Sequence, residues 1–219
     1  MDIKIVKLVK QYGERTVVDI EKFNFKEPGL YVILGLNGSG KSTFLESIAN
    51  VNNSNNGVIK YDNRNYSEVR NRISMLLQKP YIFNGSVKDN LIKGSLLNKK
   101  DWKESFHKYT SYINEFNIEN LMNKNAKNLS GGEKSMVAVA LIMAIFMFKP
   151  SPFTFFDEIE AALDESNTKR LLKKLKEFTD KSQFILITHN KHTMKESDQL
   201  YGVTMNKEIG ESKILSVVL

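Results

Sequence analysis

The chain contains no cysteine. That excludes disulfides and cysteine metal sites, and it permits a reducing, cytosolic setting. No apolar run approaches the ~20 residues a membrane-spanning helix needs. The longest, Met136–Phe148, is too short and reads as a buried helix. Met1-Asp2-Ile3-Lys4 does not resemble a signal peptide, so the expected location is the cytoplasm. There is no internal repeat and no heptad run. Arginine is scarce, with five in 219 residues. The net charge of +7 is carried entirely by residues 1–128, which hold 20 Lys+Arg against 13 Asp+Glu; residues 129–219 hold 12 of each. A basic surface of this kind can meet nucleic acid or anionic lipid. Scattered lysines with few arginines instead favour a solvated lysine-rich surface, so there is no strong nucleic-acid signal. The length suits one large domain or two small lobes.

What is present begins at residues 35–43, Gly-Leu-Asn-Gly-Ser-Gly-Lys-Ser-Thr. The spacing G-x-x-x-x-G-K-[ST] is that of a phosphate-binding loop. Its flanks fit: Leu30–Leu34 is an apolar run of strand length, and Phe44, Leu45, Ile48 and Ala49 recur at helical spacing. Gly35, Gly38 and Gly40 let backbone N–H groups, those of Asn37, Ser39 and Thr43 among them, close around phosphate oxygens. The helix opening at Lys41 points its positive end at the same anion. Lys41 is expected to reach the outer phosphates and the Ser42 hydroxyl to hold Mg²⁺. The competing reading is a glycine-rich turn with a chance lysine.

Strands are expected over Ile3–Val9, Val17–Phe25, Leu30–Leu34, Val58–Tyr61 and Ile73–Leu77, and again over Phe153–Phe156, Phe184–Thr188, Leu200–Met205 and Lys213–Val218. Helical patterns fall near Val87–Ile92, Trp102–Phe116 and Ile118–Met122, then on the run that ends before Pro150, and on Lys169–Phe178. Residues 78–128 read as an inserted helical lobe. The Asn-rich stretch Asn50–Gly57 reads as a loop.

Phe153-Thr-Phe-Phe-Asp157-Glu158 places two acids at the end of a buried strand, which is costly unless a cation or a reacting water uses them. Asp157 suits Mg²⁺. Glu158 suits deprotonating or orienting a water that attacks the γ-phosphate. Alone, the pair also reads as acids capping a helix. Leu129-Ser-Gly-Gly-Glu133 opens the long helix and offers a second anion site at Ser130, Gly131 and Gly132. It equally reads as a capping box with Glu133 as its acid, and the two readings are compatible.

Taken in order, the phosphate loop, Gln78, Leu129-Ser-Gly-Gly-Glu133, Phe156-Asp157-Glu158, Ala162-Leu163-Asp164 and His189 resemble the motif set of ABC-type ATPases across essentially the whole chain. The resemblance implies an α/β fold: a RecA-like P-loop core and antiparallel β-subdomain over 1–78 and 150–219, and an α-helical subdomain over 79–149, in one ATPase domain. It implies Mg²⁺ and ATP, with Gln78 sensing metal and γ-phosphate, His189 contacting the γ-phosphate, and Tyr12 stacking on adenine. It also implies a head-to-tail dimer in which Ser130–Gly132 of one copy cover ATP on the other and Asp164 joins the two sites. Outside that context Gln78, His189 and Tyr12 read as a surface glutamine, a strand-end histidine and a loop tyrosine.

The two parts resemble different branches. Residues 1–128, with Ile73-Ser-Met-Leu-Leu-Gln78-Lys-Pro-Tyr-Ile-Phe83 and Gly85-Ser-Val-Lys-Asp-Asn90, resemble the nucleotide-binding subunit of a bacterial importer. Residues 129–219, with Asp157-Glu-Ile-Glu-Ala-Ala-Leu-Asp164 and Ser182-Gln-Phe-Ile-Leu-Ile-Thr-His189, resemble the C-terminal head segment of SMC (structural maintenance of chromosomes) proteins. An SMC head would need a long coiled coil where residues 79–129 stand. The expectation is an engineered importer/SMC chimera, with natural recombination as the alternative. Membrane permease or SMC partners are expected only if the parental surfaces survive. The functional readings are a Mg²⁺-dependent ATPase, a nucleotide-binding module with little turnover, a natural transporter subunit associated with the membrane through its partners, and a DNA-associated head.

Overall fold

Ile3, Ile5 and Leu8 are buried on one face of the first strand while Lys4 and Val6 are exposed on the other, the period-2 pattern of a sheet with one face on a core. The computed structural model describes residues 1–51, 56–78, 83–97, 110, 113, 114, 116–148, 151–206 and 211–217. Strands β1 (Asp2–Tyr12), β2 (Arg15–Lys26) and β4 (Asn56–Tyr61) form an antiparallel sheet in the order β2-β1-β4. The β1–β4 register slips between Val6 and Val9, where Lys7 adopts φ 52. Gly57 lies against this bulge: a Cβ there would sit 2.2 Å from the Lys7 carbonyl oxygen, so only glycine fits.

A second sheet has the order β5-β6-β7-β3-β8-β9, built from β3 (Gly29–Leu34), β5 (Ile73–Leu76), β6 (Phe153–Asp157), β7 (Gln183–Ile187), β8 (Gln199–Asn206) and β9 (Glu211–Val217). All are parallel except β9, which is antiparallel to β8. Strands β3, β6 and β7 are almost wholly buried, as parallel strands covered on both faces must be. The fold is therefore mixed α/β, with a mostly parallel sheet and a separate antiparallel one, as the motif order implies.

Helix α1 (Lys41–Ile48) follows β3, and its Phe44, Leu45 and Ile48 bury in one core with Ile3, Ile5, Leu8, Val18, Ile20 and Phe25 of the antiparallel sheet. Helices α2 (Tyr66–Val69), α3 (Val87–Leu97), α4 (Gly131–Phe148), α5 (Glu165–Lys176) and α6 (Lys191–Glu196) complete the described set. Contacts divide the chain into two units. The first is Met1–Leu76, Ser151–Glu158 and Leu175–Leu219, and it holds both sheets. The second, Leu77–Pro150 and Ile159–Lys174, is helical. Its α4 buries Val137, Ala138, Val139, Ala140, Met143 and Phe146, so it is apolar nearly all round. No helix among the described residues is long and apolar enough to cross a membrane.

Three expectations change. Ile118–Met122 holds a 3-10 turn, Glu119–Leu121, in place of a helix. Helix α5 starts at Glu165, earlier than its apolar pattern suggested, because Asp164 accepts from Asn167 N at 2.8 Å and caps it. The short helices α2 and α6, nucleated by the caps Asn65 and Asn190, carry too few apolar residues to show a period. Most of Trp102–Phe116 lies outside the described residues.

Phe25 anchors the first unit's core. It is fully buried and meets Phe23, Tyr31 and Tyr201 edge-on at 4.9, 5.4 and 5.6 Å between ring centroids. Phe25→Ala is expected to destabilise the chain by about 3–5 kcal/mol, and Phe25→Leu by clearly less, in urea unfolding. A loss under 1 kcal/mol for the alanine variant would show that this cluster does not hold the unit together.

Candidate functional site

Both halves of the site in the first unit are strand ends. Strand β7 pairs with β3 on one side and β6 on the other, so residues after β3, β6 and β7 emerge at one edge of the sheet. After β3 comes the phosphate loop. Gly35 is fixed by packing: a Cβ there would meet the Val203 carbonyl oxygen at 2.4 Å and Ser39 Oγ at 2.8 Å. Asn37 and Gly38 are exposed at the tip, and Ser39 N donates to Leu36 O at 3.1 Å to close the turn. Helix α1 starts at Gly40 with no side-chain cap, which leaves its first N–H groups for another acceptor. Thr43 lies in the first turn, and its carbonyl accepts from Ser47 Oγ.

The Lys41 ammonium is nearly buried and donates to Gly35 O at 2.8 Å and Leu36 O at 3.0 Å, folding back over the loop. Burial lowers its pKa, opposed by the nearby Glu158 and Asp157 carboxylates. Ser42 Oγ donates to Asp157 Oδ1 at 3.2 Å, which joins the phosphate loop to the acid pair. The Asp157 carboxyl is pushed up by burial, with Glu158 adding to the rise and the Ser42 hydrogen bond and Lys41 opposing it.

Glu158 has φ 49, a left-handed conformation uncommon outside glycine, held in part by its N–H donating to Ile187 O at 3.1 Å. Its Oε1 lies 3.5 Å from Nε2 of His189, two residues beyond β7. Lys41, Ser42, Asp157, Glu158 and His189 are thus brought together. Tyr12 is half exposed at the end of β1.

The residues fit a nucleotide triphosphate with Mg²⁺. A hydroxyl against a desolvated carboxylate is an oxygen donor pair suited to a hard cation. The Ser39 Oγ is buried inside the loop without a hydrogen-bond partner among the described residues. Those residues contain no cluster of three or more His, Asp or Glu side chains that could hold a metal alone, so phosphate and water oxygens would have to supply the rest. A cavity of about 350 Å³ beside the loop is lined by Leu34–Ser39 and Gly202–Thr204.

The second unit carries the remaining residues. Gln78 is exposed just after β5. At the start of α4, Ser130 N donates to Glu133 Oε2 at 2.8 Å and Glu133 N to Ser130 Oγ at 3.3 Å, so the capping box is present. The Ser130 N–H, with Lys124 and the Ser130 hydroxyl, holds Glu133 down to about 2. A Cβ at Gly131 would meet no described residue within 4 Å, so packing among the described residues does not demand glycine there. Both Asp164 carboxylate oxygens are engaged at the head of α5, Oδ1 by Asn167 N and Oδ2 by Asn167 Nδ2 at 3.0 Å. Asn167 is a partner that the motif reading missed; its i,i+3 capping distance from Asp164 was the available signal.

A model of the RecF/RecN/SMC N terminal domain family matches residues 4–211. The Chromosome partition protein Smc of Fusobacterium nucleatum is 83% identical over 88 residues, 40% of this chain and 7% of that protein. The Bacillus subtilis protein of the same name is 51% identical over 96 residues, 44% of this chain and 8% of its own length. The matched segment is thus less than a tenth of these curated relatives. Among solved structures, an ATP binding subunit of an ABC transporter superposes with TM-score 0.83 at 18% identity, covering 99% of this chain and 90% of that one. A bacterial ABC transporter cassette solved as a dimer gives 0.82 at 20% identity, covering 99% of both. At such identities the likeness is one of fold.

Asp157 generates a test of these electrostatics. Its folded-state pKa is raised, so above that value the chain holds a carboxylate at a cost that disappears as pH falls and the group protonates. Asp157→Asn is expected to raise the unfolding midpoint of the ligand-free chain at pH 7, with the gain shrinking toward pH 4. A lower midpoint at pH 7 would contradict the assigned cost.

Proposed function

Because the chain belongs to the RecF/RecN/SMC N terminal domain family, we propose that it binds ATP with Mg²⁺ and hydrolyses it to ADP and phosphate. The observation that carries this is the Ser42–Asp157 hydrogen bond, which sets the phosphate loop beside the acid pair with Glu158 and His189 adjoining. In this reading the loop N–H groups of Asn37–Thr43 and the start of α1 receive the β- and γ-phosphates, and Lys41 turns from the Gly35 and Leu36 carbonyls to the outer phosphates. Ser42 and Asp157 would hold Mg²⁺, which when bound supplies charge neutralisation on the β- and γ-oxygens.

Glu158 accepts a proton from a water. The water oxygen forms the bond to the γ-phosphorus as the bond from that phosphorus to the β–γ bridging oxygen breaks. His189 orients Glu158 and contacts the γ-phosphate. Tyr12 stacks on adenine. The chain is one ATPase domain, with 1–78 and 150–219 as core and β-subdomain and 79–149 as helical subdomain. In a head-to-tail dimer, Ser130–Gly132 of a second copy would cover the nucleotide and Asp164, gripped by Asn167, would lie at the junction. The open space at Gly131 suits a role outside its own chain.

The chain is also read as an importer/SMC chimera joined near residue 129. What supports this reading is that the matches to the two Smc proteins extend over only 88 and 96 residues, 40% and 44% of this chain. A dimer surface drawn from two pairings aligns poorly, and a misplacement of ~1 Å can cost ~100-fold in rate. Slow turnover and weak ATP-driven dimerisation are therefore expected, measurable by phosphate release and sedimentation. Rapid turnover with a tight ATP dimer would overturn the chimera's interface.

Lys41→Ala is expected to weaken ATP binding at least tenfold, about 1.4 kcal/mol or more, by calorimetry; an unchanged affinity would sink the phosphate-loop assignment. Glu158→Gln should keep ATP affinity and nearly abolish hydrolysis in a phosphate-release assay. Parental turnover in that variant would place the base elsewhere.

A further inference from the structure

The nucleobase end holds a feature that the motifs do not contain. Lys10 lies on the inner face of β1, only 2% exposed, opposite Val18 of β2. A lysine carries a long, strongly hydrated cation, and burying it there needs a reason. Its Nζ sits 5.5 Å from the centroid of the Tyr12 ring, within the range at which a cation is attracted to an aromatic face.

The backbone sets this pairing. Lys10 and Tyr12 are two residues apart on one strand, and Lys10 is buried while Tyr12 is half exposed. The β1–β2 register shifts between Lys10 and Gln11, where Gln11 pairs with Thr16 and Tyr12 with Arg15. Such a bulge increases local twist and re-aims the side chains beyond it. Gln11 Nε2 donates to Thr16 Oγ1 at 3.0 Å across the pair, and Gly13 at φ 60 turns the chain immediately after. Tyr12 therefore ends the strand with one ring face toward the Lys10 ammonium and with half of its surface open.

We propose that Lys10 is the positioning residue of the nucleobase subsite, acting through Tyr12. The proposal rests on the ATP-binding reading above and goes beyond it. An ammonium on one face leaves the opposite face for a base. It draws π density toward itself, which lowers the repulsion between the tyrosine ring and the electron-rich face of a stacked purine. It also holds the ring in one orientation before the ligand arrives, which reduces the ordering cost of binding. The group recognised is the base, so the effect belongs to nucleotides and not to phosphates.

The test is calorimetric titration of Mg-ATP and, separately, of Mg-tripolyphosphate into the parent chain, Lys10→Met, Lys10→Arg, Tyr12→Ala and the Lys10→Met/Tyr12→Ala double variant. Methionine keeps the unbranched stem and removes the charge. Lys10→Met is expected to weaken ATP by about 3–10-fold, the scale of a partly desolvated cation–π pair, and to change tripolyphosphate by less than about twofold. Lys10→Arg should retain ATP binding within about twofold. In the Tyr12→Ala background, Lys10→Met should produce no further loss. Equal weakening of both ligands, an undiminished loss without Tyr12, or unchanged ATP affinity each overturns the assignment while leaving the phosphate site intact. A parent chain that binds neither ligand overturns the ATP-binding reading, and this proposal with it.

Discussion

A carboxylate that is unfavourable where it stands organises the first unit's site. Asp157 ends a strand whose five residues are all buried, and its charge is opposed by desolvation and by Glu158 beside it. The Ser42 hydroxyl and the Lys41 ammonium offset that cost only in part. A group in this condition favours a cation that can replace lost hydration, and the oxygen of Ser42 is already on hand to share it. The cost at Asp157 is of the kind that a bound cation would relieve.

Glu158 stores a second cost in the backbone. Its left-handed φ is uncommon for a non-glycine residue, and such conformations survive where the surroundings over-determine them. Here the determinant is sheet register. Asp157 pairs with Ile187, so the Glu158 N–H reaches the Ile187 carbonyl and His189 follows two residues later to meet the Glu158 side chain. Acid and histidine follow within two residues of the ends of neighbouring parallel strands, which fixes where each leaves the sheet.

The helical unit shows how one arrangement satisfies two readings. The Ser130–Glu133 capping box satisfies donors at the head of α4, as any good helix start does. The same start carries Gly131, whose missing side chain no packing among the described residues explains. Asp164 is alike: a helix cap by its hydrogen bonds, with both oxygens engaged by Asn167.

Much of this was legible in the residues themselves, because local patterns carry their own geometry. A glycine-rich turn between an apolar strand and a helix specifies backbone N–H groups around an anion whatever surrounds it. Period-2 and 3.6-residue patterns located most strands and the long helices, and Phe-Thr-Phe-Phe-Asp-Glu announced a buried strand ending in acids. Other features are non-local. That Ser42 meets Asp157 across 115 residues depends on β7 lying between β3 and β6. The left-handed Glu158, the pairing of its side chain with His189, and the bulge that sets Tyr12 beside the Lys10 ammonium come from strand register. Composition and spacing by themselves determined which chemistry the chain could hold; only strand order and register, which are set by packing between distant segments, decided which groups meet and at what cost in charge and backbone strain.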